Sequence, residues 1–298
     1  MPVPSNSKSN AMPENDHIIG PQSPILITGS NGFIGARVVE SLLRSGFRNL
    51  RCFVRPSSNL ARLEAILAHY PEARAEIVAG NLLSRADCTE AARDAEVIYH
   101  LAAGIEKTFP GSFMNSVVTT RTLLHAAISS GNLKRFVNIS SFAVYSNWNL
   151  GSQETLDETC VTESHVNERA EAYVFAKLKQ DELVIEYARK AGLPYVILRP
   201  GAVYGPGKVQ LTARVGIDTF GFFLHLGGSN PMPLTYVDNC ADAIVLAGLK
   251  PGVDGEIFNV VDDDLPSSRQ FLKMFKRNGK AFRSVYMPYW IFFGLCWL

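Results

Sequence analysis

Six short runs of nearly continuous apolar residues recur along the first two thirds of the chain: PILITG (24–29), LRCFVR (50–55), AEIVAG (75–80), EVIYHLA (96–102), KRFVNIS (134–140) and PYVILRP (194–200). A strand with one wet face alternates apolar and polar residues. Runs without that alternation predict strands covered on both faces, as in a parallel sheet. Stretches of helical spacing separate them, at 34–45, 60–69, 113–130 and 167–191. Strand–helix alternation of this kind predicts right-handed βαβ units and an α/β fold, a doubly wound parallel sheet. Beyond residue 200 the rhythm loosens into GAVYGPG and LGGSNPMP. A strand and helix follow at 234–249 and a second strand–helix pair at 256–277. The pattern divides the chain into a domain over 24–200 and a smaller one over 201–298, interleaved with the first around 234–260.

Composition narrows the class without changing the fold. A chain of 298 residues with 47% hydrophobic residues can bury a large core, and its formal net charge of +1 leaves no footprint for nucleic acid. Five cysteines, at 52, 88, 160, 240 and 296, form no C-x-x-C pair. This excludes a disulfide framework and a zinc site and predicts a reducing cytoplasm. The scattered histidines show no ligand spacing, so no metal is expected. Residues 1–23 are rich in Pro, Ser and Asn and lack a secretory signal, which predicts a disordered leader, with Met12 an alternative start. The apolar run MPYWIFFGLCWL (287–298) is too short to span a bilayer. It reads first as a core or interface segment of a truncated C-terminus, and second as a membrane-surface contact.

The turn after the first apolar run changes the picture. TGSNGFIG (28–35) joins a buried strand to a helix and spaces three glycines along it. Gly29 permits a tight turn, Gly32 lets a pyrophosphate approach the backbone, and Gly35 allows close helix packing. The helix start then offers free N–H groups and a positive dipole end to phosphates, so a dinucleotide site in a Rossmann-type sheet is expected. An NAD site usually carries a carboxylate at the end of the second strand. This chain has no Asp or Glu between Glu40 and Glu64, and has Arg55 there with Ser57 and Ser58. A guanidinium beside hydroxyls suits a ribose 2′-phosphate, so the reading is NADP, with NAD as the alternative. Stacking on adenine, or a purely solvated Arg55, remains the competing reading.

YVFAK (173–177) places Tyr173 four residues before Lys177 on one helix face. A free phenol titrates near pH 10, and a neighbouring ammonium stabilises its phenolate, so the pair can act as an acid–base unit. ISSFAVYS (139–146) brings hydroxyls to the carboxyl end of a strand, and MNSVVTTRTLLHAA (114–127) brings Asn115 to a helix start. The set TGSNGFIG, HLAA (100–103), Asn115, SSFAVY, YVFAK, LRPGAVYGPG (198–207) and TYVDNCADA (235–243) resembles the extended short-chain dehydrogenase/reductases of the epimerase/dehydratase type, over roughly 24–278. TYVDN looks closer to the 3β-hydroxysteroid dehydrogenase and dihydroflavonol-reductase branch.

The resemblance implies a catalytic Ser141 (runner-up Ser140), Tyr173 as proton carrier, Lys177 also holding the nicotinamide ribose, and Asn115 in a proton relay. It implies cofactor contacts from Gly29, Asn31, Gly32, Phe33, Ile34 and Gly35 in the turn, and from Arg55 after the second strand. Further contacts fall to Asn81 and Leu82, to Leu101, Ala102 and Ala103, and to Pro200. Asn81 stands where the family usually has Asp, which makes its transfer less secure. Residues 201–298 would mainly bind substrate, and a homodimer would form on the helices 113–130 and 167–191.

Many sugar-nucleotide members carry an arginine five residues before the valine of V-D-N and an asparagine near LRP. Here Met232 and Ala202 occupy those positions, and GIDTFGFFLHLGG (216–228) offers apolar walls instead, unless these residues are core. The expectation is therefore an NAD(P)-dependent oxidoreductase for a small, fairly apolar hydroxy or oxo compound. The alternative is a nucleotide-sugar epimerase or dehydratase using the same triad. A non-catalytic dinucleotide sensor is disfavoured because both the tyrosine and the lysine are present.

Overall fold

The computed structural model describes residues 17–104, 106, 108–146, 155–164, 171–208, 211, 214–219, 221–278 and 282–296. Two compact units emerge. The first takes the chain up to Pro200 and resumes over Cys240–Val260; the second takes Gly201–Asn239 and Val261–Leu298. The return to the first unit thus begins at Cys240. The strand just before it, β10 (Leu234–Tyr236), pairs with β7 (Ala202–Tyr204) in the second unit.

In the first unit the six apolar runs become β1 (Ile25–Thr28), β2 (Asn49–Val54), β3 (Arg74–Ala79), β4 (Val97–His100), β5 (Arg135–Ile139) and β6 (Tyr195–Pro200). With β11 (Ile257–Val260) they form one sheet in the order β11-β6-β5-β4-β1-β2-β3. Every pairing in it is parallel. The expected doubly wound fold is therefore present. β1 and β5 are buried along their whole length, as continuous apolar runs require. β3 closes one edge, and an exposed Arg51–Glu76 ion pair sits between it and β2.

The crossovers are α1 (Gly35–Arg44), α2 (Ala61–Leu67), α3 (Arg85–Ala92), α4 (Phe109–Ser112), α5 (Thr119–Ser130) and α6 (Ala172–Ala191). Leu26, Phe53, Ile98, Phe136 and Ile197 from the sheet pack with Ala91, Leu123, Leu124 and Val184 from the helices. Each large apolar side chain buried this way contributes about 1.5–3 kcal/mol.

The single helix expected over 113–130 is corrected: Phe113–Val118 form a π-helical turn ahead of α5. Side chains bend back onto the backbone here. Thr119 Oγ1 donates to the carbonyls of Asn115 and Ser116, and Thr120 Oγ1 to that of Ser116. Such back-bonding competes with the regular ladder and widens the turn. For the helix expected over 167–191, residues 167–170 lie outside the described residues.

The leader expectation needs a correction at its end. Residues 1–16, Met12 included, lie outside the described residues. From His17 onward the chain packs: Ile18 N donates to Leu249 O, Ile19 is buried and the His17 ring meets Phe47.

In the second unit, β8 (Gly216–Thr219) and β9 (Phe222–His225) form an antiparallel hairpin, extended by β12 (Ser284–Tyr286). α7 (Val237–Leu249) leads back to the first unit, and α8 (Ser268–Asn278) and α9 (Tyr289–Cys296) complete the elements. Met232 packs with Val215, Phe223, Leu234, Phe271 and Leu272, and Ala202 lies against them. The apolar run near the C-terminus is not core over its described part, since Tyr289, Trp290, Phe293 and Leu295 are exposed. No helix among the described residues is long and apolar enough to cross a membrane.

Candidate active site

Strand order reverses between β1 and β4, the place where an open α/β sheet holds ligands. The glycine turn sits on that spot. Gly29 has φ +69°, and a Cβ there would lie 2.9 Å from Ala102 N. A Cβ on Gly35 would stand 2.1 Å from the carbonyl oxygen of Gly29. Leu101 N donates to Thr28 O, so the stretch after β4 is laced to the turn. The turn thus brings Leu101 and Ala102 together with the predicted glycines. Gly32 is exposed, Asn31, Phe33 and Ile34 are half-buried, and no side chain caps the start of α1. A narrow glycine cradle ahead of open helix N–H groups fits a pyrophosphate.

Arg55 is exposed just past β2, and its carbonyl accepts from Ser58 N. Asn81 Oδ1 accepts from Leu83 N, and Asn81 N donates to Asp87, so the residue first of all shapes its own turn. Leu82 is buried in the core, Ala103 is exposed and Pro200 ends β6.

At the carboxyl ends of β4, β5 and β6 the catalytic candidates converge. The Ser141 hydroxyl hydrogen-bonds the Tyr173 phenol and also accepts from Ala143 N at 3.2 Å. Ser140 turns the other way, donating to Asp181 at 2.7 Å. Lys177 is buried, and its Nζ donates to Ile139 O at 2.6 Å and to Gln180 Oε1 at 3.0 Å. Burial brings its ammonium down to about 8, with Asp181 pulling the other way. Burial also raises the Tyr173 pKa, against the Ser141 hydrogen bond. The phenol expected to be tuned toward neutrality is therefore held protonated, because desolvation of the phenolate outweighs its stabilisation. Asn115 lies in the π-helical turn, which packs against α6, and its Nδ2 donates to Glu106 at 3.3 Å.

Residues 25–260 match the NAD dependent epimerase/dehydratase family. The chain belongs to that family. It is thereby a member of the extended short-chain dehydrogenase/reductase superfamily, and an enzyme. Its curated relatives include an uncharacterised UDP-glucose epimerase, YtcB, of Bacillus subtilis, 28% identical over 79% of this chain and 76% of that protein. They also include a 3-beta-hydroxysteroid dehydrogenase of Mycolicibacterium neoaurum, 28% identical over 80% of this chain and 67% of that protein. Against a trifunctional UDP-glucose dehydratase, epimerase and reductase of Arabidopsis thaliana the chain spans 36% of the length. Among solved structures, a UDP-glucuronic acid 4-epimerase from Bacillus cereus is similar, with TM-score 0.70 and 24% identity over 89% of this chain and 86% of that one. That likeness speaks for the fold.

This family member carries a polar network behind Ser141, Tyr173 and Lys177 that the motifs did not announce. Asp181 is buried and accepts from Asn138 at 3.0 Å, from Ser140 and from the Arg199 guanidinium at 3.3 Å. Burial raises its pKa, while the Ser140 hydrogen bond and the Arg199 and Lys177 charges oppose the rise. Arg199 lies over the Tyr145 ring, 4.8 Å from its centroid. The available signal was spacing, since Asp181 stands four residues past Lys177 on the same helix face. His100 is bonded on both ring nitrogens, to Thr28 and to Thr120, at 2.8 Å each.

Proposed function

We propose that the chain reduces a carbonyl carbon, or oxidises the matching carbinol, with Tyr173 as the proton carrier. The observation that carries this reading is the Ser141–Tyr173 hydrogen bond one helical turn from the buried Lys177. A nicotinamide cofactor, when bound, supplies the two-electron exchange at the substrate carbon. Ser141 orients the substrate oxygen, and the Tyr173 phenol gives it a proton as charge builds there. At neutral pH the phenol is neutral and Lys177, near 8, is mostly an ammonium. The resting site thus holds the protons that reduction consumes. Asn115 and the substrate-selecting role of residues 201–298 remain parts of this proposal, as does a homodimer built on α5 and α6.

For the cofactor we assign NADP over NAD, on the exposed Arg55 at the end of β2 and the absence of Asp and Glu between Glu40 and Glu64. Arg55→Asp should weaken NADP by a few kcal/mol, within the ~2–5 kcal/mol scale of a broken charge pair, and spare NAD. Titration of both cofactors against both proteins tests it; wild-type preference for NAD would overturn the assignment.

Two substrate classes stand level. The apolar hydroxy or oxo compound rested on Met232 and Ala202, and those side chains serve the core of the second unit. A hydroxysteroid dehydrogenase among the relatives still supports it. A nucleotide sugar is supported by the UDP-sugar enzymes among them. A panel of both classes, followed at the nicotinamide absorbance and by product analysis for epimers, separates the two. No turnover of any member would sink the reading as an oxidoreductase.

A further inference from the structure

Lys177 does not meet its nearest carboxylate directly. Asp181 Oδ1 is taken by Asn138, and Oδ2 by Ser140 and Arg199. A neutral amide, Gln180, receives the ammonium instead, at 3.0 Å, and Ile139 O receives it at 2.6 Å. Two of the three N–H bonds of Lys177 are thereby committed.

The amide is itself fixed, because every proton behind it can be assigned. Thr120 Oγ1 donates to Ser116 O at 2.6 Å, so toward Gln180 Nε2 at 2.7 Å and His100 Nε2 at 2.8 Å it can only accept. His100 Nε2 therefore carries the proton. Burial drives the His100 pKa down to about 3, so its Nδ1 is bare and accepts from the Thr28 hydroxyl at 2.8 Å. Thr28 Oγ1 in turn accepts from Ala102 N. Thr28, His100, Thr120, Gln180 and Lys177 are all buried. The amide of Gln180 cannot flip without setting its oxygen against an oxygen that has no proton to give and its NH₂ against an ammonium.

We propose that Gln180 is a positioning residue of the reaction, a fixed acceptor that holds the Lys177 ammonium charged and oriented, braced through Thr120 and His100 against the glycine turn. This rests on the Tyr173–Lys177 reading above. The charged and titratable groups acting on the ammonium are Asp181 on its own helix, His100 on β4 and, through Asp181, Arg199 on β6.

Lysine titration by NMR on ¹³C,¹⁵N-lysine protein, with Lys177→Arg to assign the resonance, tests the proposal without cofactor or substrate. Gln180→Met keeps the volume and removes the acceptor, so Lys177 should titrate roughly one to two pH units lower. Gln180→Glu adds a negative charge and should raise it by a comparable amount. Where the wild type turns over a substrate, the alkaline limb of kcat should follow the lysine in both directions. A residue that merely packs would lower stability and leave the titration in place. Identical Lys177 titration in wild type and Gln180→Met, or an alkaline limb that stays put, overturns the proposal; Gln180→Leu, which also lacks the acceptor, decides should Gln180→Met not fold. Failure of the enzymatic reading shows separately, as a wild type without turnover whose lysine still titrates.

Discussion

In the proposed reaction Tyr173 and Lys177 carry different loads, and their variants should part company. Tyr173→Phe removes the proton carrier and little else, so turnover should fall by roughly 10²–10⁴-fold while the cofactor dissociation constant holds. Lys177→Ala should weaken both. His100 gives a prediction of stability. Folded, it titrates near 3; unfolded, it takes a proton near 6.5. Between those values the unfolded chain binds the extra proton, so stability rises with pH and is lost on acidification, by roughly 1.4 kcal/mol per pH unit. Denaturant titrations from pH 4 to 7 should show a shallower slope for His100→Gln than for wild type. At this scale the sequence spoke clearly where a spacing fixes a shared helix face, as for Tyr173 and Lys177 on α6. It was silent where partners come from separate elements: nothing in the order of residues places Thr28 against His100, or Arg199 against Asp181. The misjudged position was Met232, where a motif offset said pocket and packing says core.

Elements were legible where the apolar run is unbroken. The six strands predicted from apolar runs lie within two residues of them; β1, β4 and β5 are buried throughout, as such runs imply, whereas β3 at the sheet edge has no buried residue despite its run. Helix α3 went unread since its sequence, RADCTEAA, has little apolar periodicity. Its real signal was Ser84 followed by Asp87, a capping pair in which Ser84 Oγ accepts from Asp87 N. The β8–β9 hairpin was read only as an apolar stretch, its Phe223 and Leu224 being core on a short strand pair. The glycine turn is where element geometry makes a prediction. Gly35→Ala forces a Cβ into the Gly29 carbonyl and should lower stability by about 1–3 kcal/mol. Gly32→Ala meets that same oxygen only at 3.0 Å and should cost less stability yet weaken cofactor binding. Calorimetric melting and cofactor titration of the two proteins check the contrast.

For the whole molecule the sequence told the fold class. It placed the return to the first unit six residues early, because β10 reads as a sheet strand until its partner is known. That returning segment is secured by polar ties from buried side chains of the first unit. Arg135, fully buried at the start of β5, donates to both oxygens of Asp254 and to the carbonyls of Ala247 and Lys250 at the end of α7. Tyr99 OH donates to Val245 O, and Ser41 Oγ to Asp242. Arg135→Leu leaves the carbonyls of Ala247 and Lys250 without their donor, while the half-exposed Asp254 returns to water, and should destabilise the first unit by about 1–3 kcal/mol, read as a lower denaturation midpoint.

The same return has a consequence in time. β6 is completed at Pro200, but its outer neighbour β11 is not made until Val260. A ribosome adding 5–20 residues per second needs roughly 3–12 s to cover that interval. Throughout it a nascent chain holds six strands in hand and one raw hydrogen-bonding border, open to any extended peptide nearby. Synthesis of this enzyme therefore passes through a window in which a chaperone, or a neighbouring nascent chain, can take the place reserved for its own last strand.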